Sequence, residues 1–173
     1  MFRTVLAILA LSAGAAVAEA HLPDPAMTAS VADAAGNDLG TVTITPTPSG
    51  VTLVTLSLQG LPPGGTHGMH IHETGDCSAG DFSSAGGHLA GDREHGYMVE
   101  GGPHPGDMPN ALVQEDGVLA VEVFNSRIDV EEHLRDEDGA AFIIHEGADD
   151  YFSQPSGNAG ERFACAVLNL EPE

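Results

Sequence analysis

Nine histidines in 173 residues are the feature of this sequence that most strongly suggests chemistry. Two of them, His70 and His72, are separated by one residue within the apolar stretch 68–72. Side chains two apart on a β-strand project from the same face, so both imidazoles would point one way while Met69 and Ile71 point into the core. Two imidazoles on one face form a natural metal chelate. The pair therefore predicts a metal site just outside the apolar core.

A second group of potential metal ligands lies in a long stretch rich in glycine and proline, residues 73–110. It comprises His88, His95, His104 and Asp107. Three imidazoles and one carboxylate match the tetrahedral nitrogen and oxygen donor set of a closed zinc site. Glycine or proline stands beside most of these residues, which indicates a backbone shaped to aim the side chains.

His145, at the end of a later apolar run, adds a third imidazole to the pair at His70 and His72. Copper has the highest affinity of the first-row divalent metals for such nitrogen ligands, and unlike zinc it changes oxidation state readily. Two other histidines carry weaker signals. His67 lies an odd number of residues from His70, so we expect it to face inward as a hydrogen-bonded structural residue. His133 lies among acidic residues, which favours a solvated surface side chain.

The elements that must position these histidines have the period of β-strands. Residues 41–45 alternate strictly between apolar and polar, and further strands are predicted at 27–32, 51–58, 119–124, 142–145 and 163–168. The apolar phase changes within 51–58, which predicts a bulge near Leu53 and Val54. One short helical turn is predicted at 130–135, capped by Asp129, with Glu132 completing a capping box.

Turn signals at 36–37, 49–50 and 116–117 separate several of these strands. Two long stretches without periodicity remain, 73–110 and 146–161, and loops of this length in a compact domain are usually functional or disordered. The sequence thus predicts an all-β sandwich or barrel with two long functional loops. Few aromatic residues and no tryptophan are present, so the core must be aliphatic.

Residues 1–20 read as a signal peptide and not as part of the fold. Arg3 provides a positive start, an apolar run follows, and small residues with cleavage-site spacing end at Ala18 and Ala20. The mature chain, residues 21–173, would be a single domain in a periplasmic or secreted, oxidising location. There the two cysteines, Cys77 and Cys165, can pair and persist.

The charge balance excludes some partners. The chain has 26 acidic residues against 5 arginines and no lysine, for a net charge of −21. Such a surface repels phosphate backbones and anionic lipid headgroups, so we expect neither nucleic acid nor a membrane surface as a partner.

Two separated motifs resemble those of secreted bacterial copper–zinc superoxide dismutases. Residues 68–77 (GMHIHETGDC) resemble the family's His-x-His strand and the Gly-Asp-Cys that follows it, and residues 157–165 (GNAGERFAC) resemble its arginine and cysteine signature. The resemblance spans about residues 28–169. It implies an eight-stranded Greek-key β-barrel, an immunoglobulin-like sandwich. It also implies that superoxide is dismuted to oxygen and hydrogen peroxide as copper alternates between Cu(II) and Cu(I) beside Zn(II).

The resemblance implies a role for each candidate residue. Copper would be bound by His70, His72, His88 and His145. Zinc would be bound by His88, His95, His104 and Asp107, so that a deprotonated His88 bridges the metals and also carries a proton during turnover. Asp149 would link a copper ligand to a zinc ligand, and Arg162 would guide the superoxide anion. Cys77 and Cys165 would form the family's disulfide, and a homodimer is an open expectation because no patch in the sequence identifies the face.

Two other functions fit parts of the pattern. A copper-binding or copper-buffering protein would use the same histidines without needing Arg162, Asp149 or the zinc ligands. A zinc hydrolase would use Glu73 or Asp76 as its base, but catalytic zinc needs an open coordination position, and the loop set of four ligands looks closed.

Overall fold

The computed structural model describes residues 27–169, which fold into one β-structure with very little helix. The strands are β1 (Met27–Asp33), β2 (Asp38–Pro46), β3 (Thr52–Leu58), β4 (Thr66–His67), β5 (Met69–His72), β6 (Ala111–Leu112), β7 (Leu119–Asn125), β8 (Ala140–His145) and β9 (Arg162–Leu168). The helical elements are α1 (Val130–His133) and a 3-10 turn at Ser83–Ala85. No helix within 27–169 is long and apolar enough to cross a bilayer. The expected signal peptide, residues 1–20, lies outside the described residues.

The strands form a curled antiparallel sheet in the order β5-β8-β9-β1-β2-β3-β7, while β4 pairs with β6. Only Gly68 separates β4 from β5, so the two are one strand that changes partner at this residue. A Cβ on Gly68 would lie 2.9 Å from the Cβ of Ala159, which explains why a glycine occupies the crossing point. With β4 and β5 counted together, the described strands number eight. The predicted all-β barrel is confirmed.

The core is aliphatic, as the composition predicts. Alternate residues of β2 and β3, among them Val42, Ile44, Val54 and Leu56, are almost fully buried. Within the described residues Phe142 is the one fully buried aromatic of the main core cluster. Burial of these side chains is the main favourable contribution to folding, on the order of 2 kcal/mol each.

The predicted bulge near Leu53 and Val54 is wrong. Strand β3 keeps a continuous register with both β2 and β7. Thr52 occupies the first inward position, where it is buried and its hydroxyl donates to the carbonyl of Ile128 at 2.9 Å. Leu53 is therefore a half-buried residue of the outer face, and the change of apolar phase needs no extra residue.

Helix α1 is shorter than predicted and is capped differently. The Asp129 carboxylate accepts hydrogen bonds from the backbone N–H groups of Glu131 and Glu132, as expected for an N-cap. The Glu132 side chain does not complete a capping box, because the Asp129 N–H donates to Nδ1 of His133 at 3.0 Å. His133 is half-buried and is thus part of the helix terminus, where a solvated side chain was expected.

The two aperiodic stretches are loops in the structure. The first joins β5 to β6 and contains the 3-10 turn, and the second joins β8 to β9. A disulfide between Cys77 and Cys165, with Cα atoms 6.0 Å apart, ties the first loop to β9. The pairing expected from the resemblance is therefore present.

Candidate metal centre

Strand β5 divides its side chains between the core and the predicted site. Met69 and Ile71 pack in the hydrophobic core, as the alternation predicts. His70 and His72 project from the opposite face, yet they are only 0% and 1% exposed. The long loops cover them, so the imidazoles lie outside the apolar core but away from solvent.

The first long loop is fastened to the free edge of β5 by backbone hydrogen bonds. The Ile71 N–H donates to the carbonyl of Gly106, and the Leu89 N–H donates to the carbonyl of Ile71, both at 2.9 Å. A Cβ on Gly106 would lie 2.3 Å from the Ile71 oxygen, so only glycine permits this approach. The contact sets loop residues opposite strand residues, in the bridges His70–Asp107 and His72–His88.

His145 enters the group from the end of β8. The register of β8 with β9 shifts between Ile144 and His145, which sets His145 opposite Arg162. The Nδ1 atom of His67 lies 2.8 Å from the His145 carbonyl. His67 is buried, as expected of a structural histidine, and it supports the backbone of His145.

Four histidines bring one ring nitrogen each within 4.8 Å of one another: His70, His72, His88 and His145. The other nitrogen of each ring is held by the protein. These contacts are His70 Nε2 to Asp149 at 2.7 Å, His72 Nδ1 to the Gly86 carbonyl at 3.1 Å, His88 Nδ1 to Asp107 at 3.2 Å and His145 Nδ1 to the Gly160 carbonyl at 3.2 Å. Each ring is thereby fixed in orientation.

The remaining nitrogens of these rings are buried and have no hydrogen-bond partner within residues 27–169. They are His70 Nδ1, His72 Nε2, His88 Nε2 and His145 Nε2. An unsatisfied buried polar atom costs about 1–3 kcal/mol. Four of them in one cluster, all imidazole nitrogens, fit a copper ion bound between the rings.

A second cluster forms around one oxygen of Asp107. Its Oδ1 lies 3.2 Å from Nδ1 of His88, 3.0 Å from Nδ1 of His95 and 3.3 Å from Nδ1 of His104. The His104 nitrogen lacks hydrogen-bond geometry at that distance. Four possible ligands here have atoms that all lie within 4.8 Å of one another, and they include His70 but not His104: His70, His88, His95 and Asp107. The rings of His70 and His88 stack 3.9 Å apart. Three imidazoles converging on a carboxylate fit a zinc ion.

Asp149 connects the two clusters. Its Oδ2 lies 2.7 Å from Nε2 of His70, and its Oδ1 lies 3.1 Å from Nε2 of His95. Asn110 holds the Asp149 backbone in both directions, donating from Nδ2 to the carbonyl and accepting from the N–H, each at 2.8 Å. Nothing in the sequence distinguishes Asn110 from any other loop asparagine, so it could not be predicted as part of the site.

Most of these groups have the charge state that metal binding needs. Burial lowers the pKa of His70 to about 3 and that of His145 to about 4. Burial also lowers the pKa of His95, but its contacts with Asp107 and Asp149 outweigh this and raise the pKa to about 9. Burial would raise the pKa of both carboxyls, yet contacts with histidines hold each well below its usual range. Neutral imidazoles and ionised carboxylates are the forms that bind metal. His70, His145 and both carboxyls have these forms at neutral pH, whereas His95 would release its proton on binding zinc.

Arg162 stands beside the histidine cluster, held by two backbone carbonyls. Its Nη1 donates to the carbonyl of Phe82, and its Nη2 donates to the carbonyl of Gly86 at 2.5 Å. The Gly86 carbonyl is also the partner of Nδ1 of His72. Neither carbonyl could be identified from the sequence, because every residue has one.

A surface cavity of about 630 Å³ borders Arg162. Its lining includes four carboxylates, those of Asp33, Asp81, Glu146 and Glu161. These carboxylates make the cavity less attractive to anions than Arg162 alone would.

Comparison with known proteins agrees with this geometry. A family model described as copper/zinc superoxide dismutase matches residues 39–168. Superoxide dismutase (Cu-Zn) 2 of Aquifex aeolicus is 41% identical over 138 residues, covering 77% of this chain and 80% of that protein. Superoxide dismutase (Cu-Zn) of Escherichia coli K12 is 36% identical over 178 residues, covering 97% of this chain and 99% of that protein.

Solved structures give the same result. A double mutant of a superoxide-dismutase-like protein from Bacillus subtilis, with histidine replacing tyrosine and proline, superposes with a TM-score of 0.78 at 38% identity, covering 82% of this chain and 96% of that one. Cu/Zn superoxide dismutase from Brucella abortus gives a TM-score of 0.70 at 28% identity, covering 83% and 99%. The chain belongs to the copper/zinc superoxide dismutase family and is an enzyme that uses copper and zinc to dismute superoxide to oxygen and hydrogen peroxide.

Proposed function

We propose that the dismutation takes place at the paired clusters described above, with one set of side chains for each metal. The copper ligands are His70, His72, His88 and His145. The zinc ligands are His88, His95, His104 and Asp107. The observation that carries this assignment is the set of four buried imidazole nitrogens that have no hydrogen-bond partner in the described residues and lie within reach of one ion.

The reaction converts two superoxide anions and two protons into oxygen and hydrogen peroxide. When bound, copper supplies the one-electron exchange and zinc supplies a fixed positive charge. The shared residue is His88, whose Nδ1 faces Asp107 while its Nε2 faces the other histidines. Nε2 is therefore the atom at which His88 holds a proton and transfers it during turnover.

Arg162 binds and orients the anionic substrate. A guanidinium keeps its charge at any working pH, and here two carbonyls fix its position. Asp149 keeps the rings of His70 and His95 in the orientation each needs. Such hydrogen bonds around metal ligands typically contribute 10–100-fold in affinity or activity.

The alternative of a copper buffer without turnover is tested by Arg162→Ala. We expect the variant to keep its copper and zinc contents while kcat/KM falls by roughly tenfold or more, the worth of a charge-assisted contact. A copper buffer has no turnover to lose, so the change would leave its properties as they are in the parent protein. The zinc hydrolase alternative has less support, because the Glu73 carboxylate already accepts a hydrogen bond from Gly87.

For the whole chain we propose a signal peptide at residues 1–20 and a single exported domain at 21–173, in the periplasm or secreted. The disulfide supports an oxidising location. Amino-terminal sequencing of the protein recovered from the periplasm or the culture medium tests this: a start near residue 21 is expected, and an intact Met1 would contradict it.

We propose superoxide as the small-molecule partner and a homodimer as the assembly. Several large apolar side chains remain exposed on the described surface, which supports an interface between copies: Leu112, Phe124, Met98 and Phe152. Sedimentation equilibrium should give twice the mass of the mature chain, and a single-chain mass at micromolar concentration would refute the dimer.

A further inference from the structure

Glu73 forms a two-way contact with the loop that leads to His88. It directly follows His72 at the end of β5, and its N–H donates to the carbonyl of Gly87 at 3.0 Å. Its carboxylate Oε1 in turn accepts the Gly87 N–H at 2.9 Å. The backbone alone makes one of the two hydrogen bonds between Glu73 and Gly87, and the Glu73 carboxylate makes the other.

The segment that Glu73 holds carries the Gly86 carbonyl. Gly86 has a φ of 73°, a conformation suited to glycine, and a Cβ there would lie 2.7 Å from Oε1 of Glu73. The Gly86 oxygen accepts from Nη2 of Arg162 and is the partner of Nδ1 of His72. One peptide group therefore orients both the substrate-binding arginine and a metal-binding histidine.

We propose that Glu73 is a positioning residue for Arg162, acting through the Gly86–Gly87 backbone. This inference rests on the role proposed above for Arg162. Two consecutive glycines have unusual backbone freedom, and a carboxylate bound to the Gly87 N–H removes much of it. Without that acceptor the Gly87 N–H would hydrogen-bond to water, and the Gly86 carbonyl would no longer be held in one orientation. The Arg162 guanidinium would then lose one of the two carbonyls that hold it.

The test compares Glu73→Ala with Glu73→Gln, which loses the charge but keeps an acceptor oxygen at the same place. The matched control is Glu122→Ala, which removes a negative charge at an exposed position of β7 outside both long loops. All variants are studied with both metals bound. Amide hydrogen exchange at Gly87 is followed by NMR with copper kept reduced, and kcat/KM and metal contents are measured alongside.

We expect Gly87 exchange in Glu73→Ala to accelerate roughly five- to tenfold, the worth of about one hydrogen bond. At unchanged metal content, kcat/KM should fall several-fold, with Glu73→Gln and Glu122→Ala close to the parent protein. In an Arg162→Ala background, Glu73→Ala should cause no further loss, since a residue that acts through Arg162 has nothing left to position.

Fast exchange at Gly87 with an unchanged kcat/KM would overturn the positioning role and leave the dismutase assignment intact. Equal losses from Glu73→Ala with and without Arg162 would also overturn it, because they would mark a purely structural contact. A parent protein that binds both metals but does not turn over superoxide would overturn both proposals.

Discussion

At the scale of single residues, the chemistry of this centre depends on which of two nitrogens each imidazole leaves free. His70 presents Nδ1 because its Nε2 is held by Asp149, whereas His72 presents Nε2 because its Nδ1 faces the Gly86 carbonyl. Strand alternation predicted that His70 and His72 share a face, and the family resemblance implied the other members of the two clusters. They did not predict these nitrogen choices, which depend on partners such as Gly86 that only the folded chain supplies.

The two ligand sets that we propose share only His88, so changes at the other ligands should separate the metals. His145→Ala should lower copper content strongly while zinc is retained, because the three imidazole nitrogens around Oδ1 of Asp107 belong to other histidines. His104→Ala should do the reverse. Metal content of the purified variants, measured by mass spectrometry, checks both directions.

The control for this pair is His133→Ala, since His133 is the last residue of α1 and accepts the Asp129 N–H, so the change should affect neither metal. Loss of both metals from His145→Ala and His104→Ala alike, in proteins that remain folded by circular dichroism, would count against two separate sets.

At the scale of elements, strands were predictable and loops were not. Alternation identified the strands on which His70 and Ile44 lie, because apolar side chains at every second position of each pack in the core. It misread β3, where the inward position at Thr52 is polar but satisfied by the Ile128 carbonyl. The first long loop has no periodicity, and its shape comes from docking on the edge of β5 through Gly106.

That docking makes Gly106 the most informative glycine of the loop. In Gly106→Ala the new Cβ would lie 2.3 Å from the Ile71 oxygen, so the loop must move away from β5. We expect a destabilisation of about 1–3 kcal/mol, typical of overpacking, together with weaker binding of zinc. Urea unfolding and a chelator competition measure the two effects.

Gly80→Ala provides the matched control, since a Cβ there would meet nothing within 4 Å. If Gly106→Ala and Gly80→Ala were equally stable and bound zinc equally well, the backbone contact with β5 could not be what shapes the loop.

At the scale of the whole molecule, stability without metals should depend on pH through the buried histidines. The ordinary pKa is 6.5, and burial lowers that of His70 to about 3 and that of His145 to about 4. Below pH 6.5 the unfolded chain binds protons that the folded chain excludes, so stability must fall between pH 6.5 and 4. The slope is on the order of 1 kcal/mol per pH unit for each such histidine.

Burial lowers the pKa of His72 and His88 as well, so these four histidines act together in this pH window, and other groups contribute little to it. The raised pKa of His95 adds stability that is fully present below 6.5 and is lost only as the pH rises through about 9. The lowered pKa values of Asp107 and Asp149 begin to matter near their ordinary value of 3.8. Urea unfolding of chelator-treated, disulfide-intact protein at pH 7, 6 and 5 should show that the free energy of unfolding declines. His145→Gln should make this decline less steep. A stability that rises on acidification would contradict the assignment.

The net charge of −21 also acts on the whole molecule, because it opposes the approach of an anion from a distance. The sequence made this total predictable. The crowding of Asp81 and Glu161 around the cavity beside Arg162 comes from the fold. Salt screens the distant charges over roughly 8–10 Å, while the final contact with the arginine is screened much less.

We therefore expect kcat/KM to fall little, or to rise, as ionic strength increases from about 10 to 200 mM, where the screening length shortens several-fold. Glu161→Gln removes a negative charge next to Arg162. It should therefore raise kcat/KM at low salt and make the increase of kcat/KM with ionic strength smaller. Pulse radiolysis over a salt series measures both, with Glu131→Gln on α1 as the control for a carboxylate of the distant surface. A steep loss of rate with salt would mean that attraction dominates the approach, so that the field of Arg162 reaches beyond the acidic rim that surrounds it.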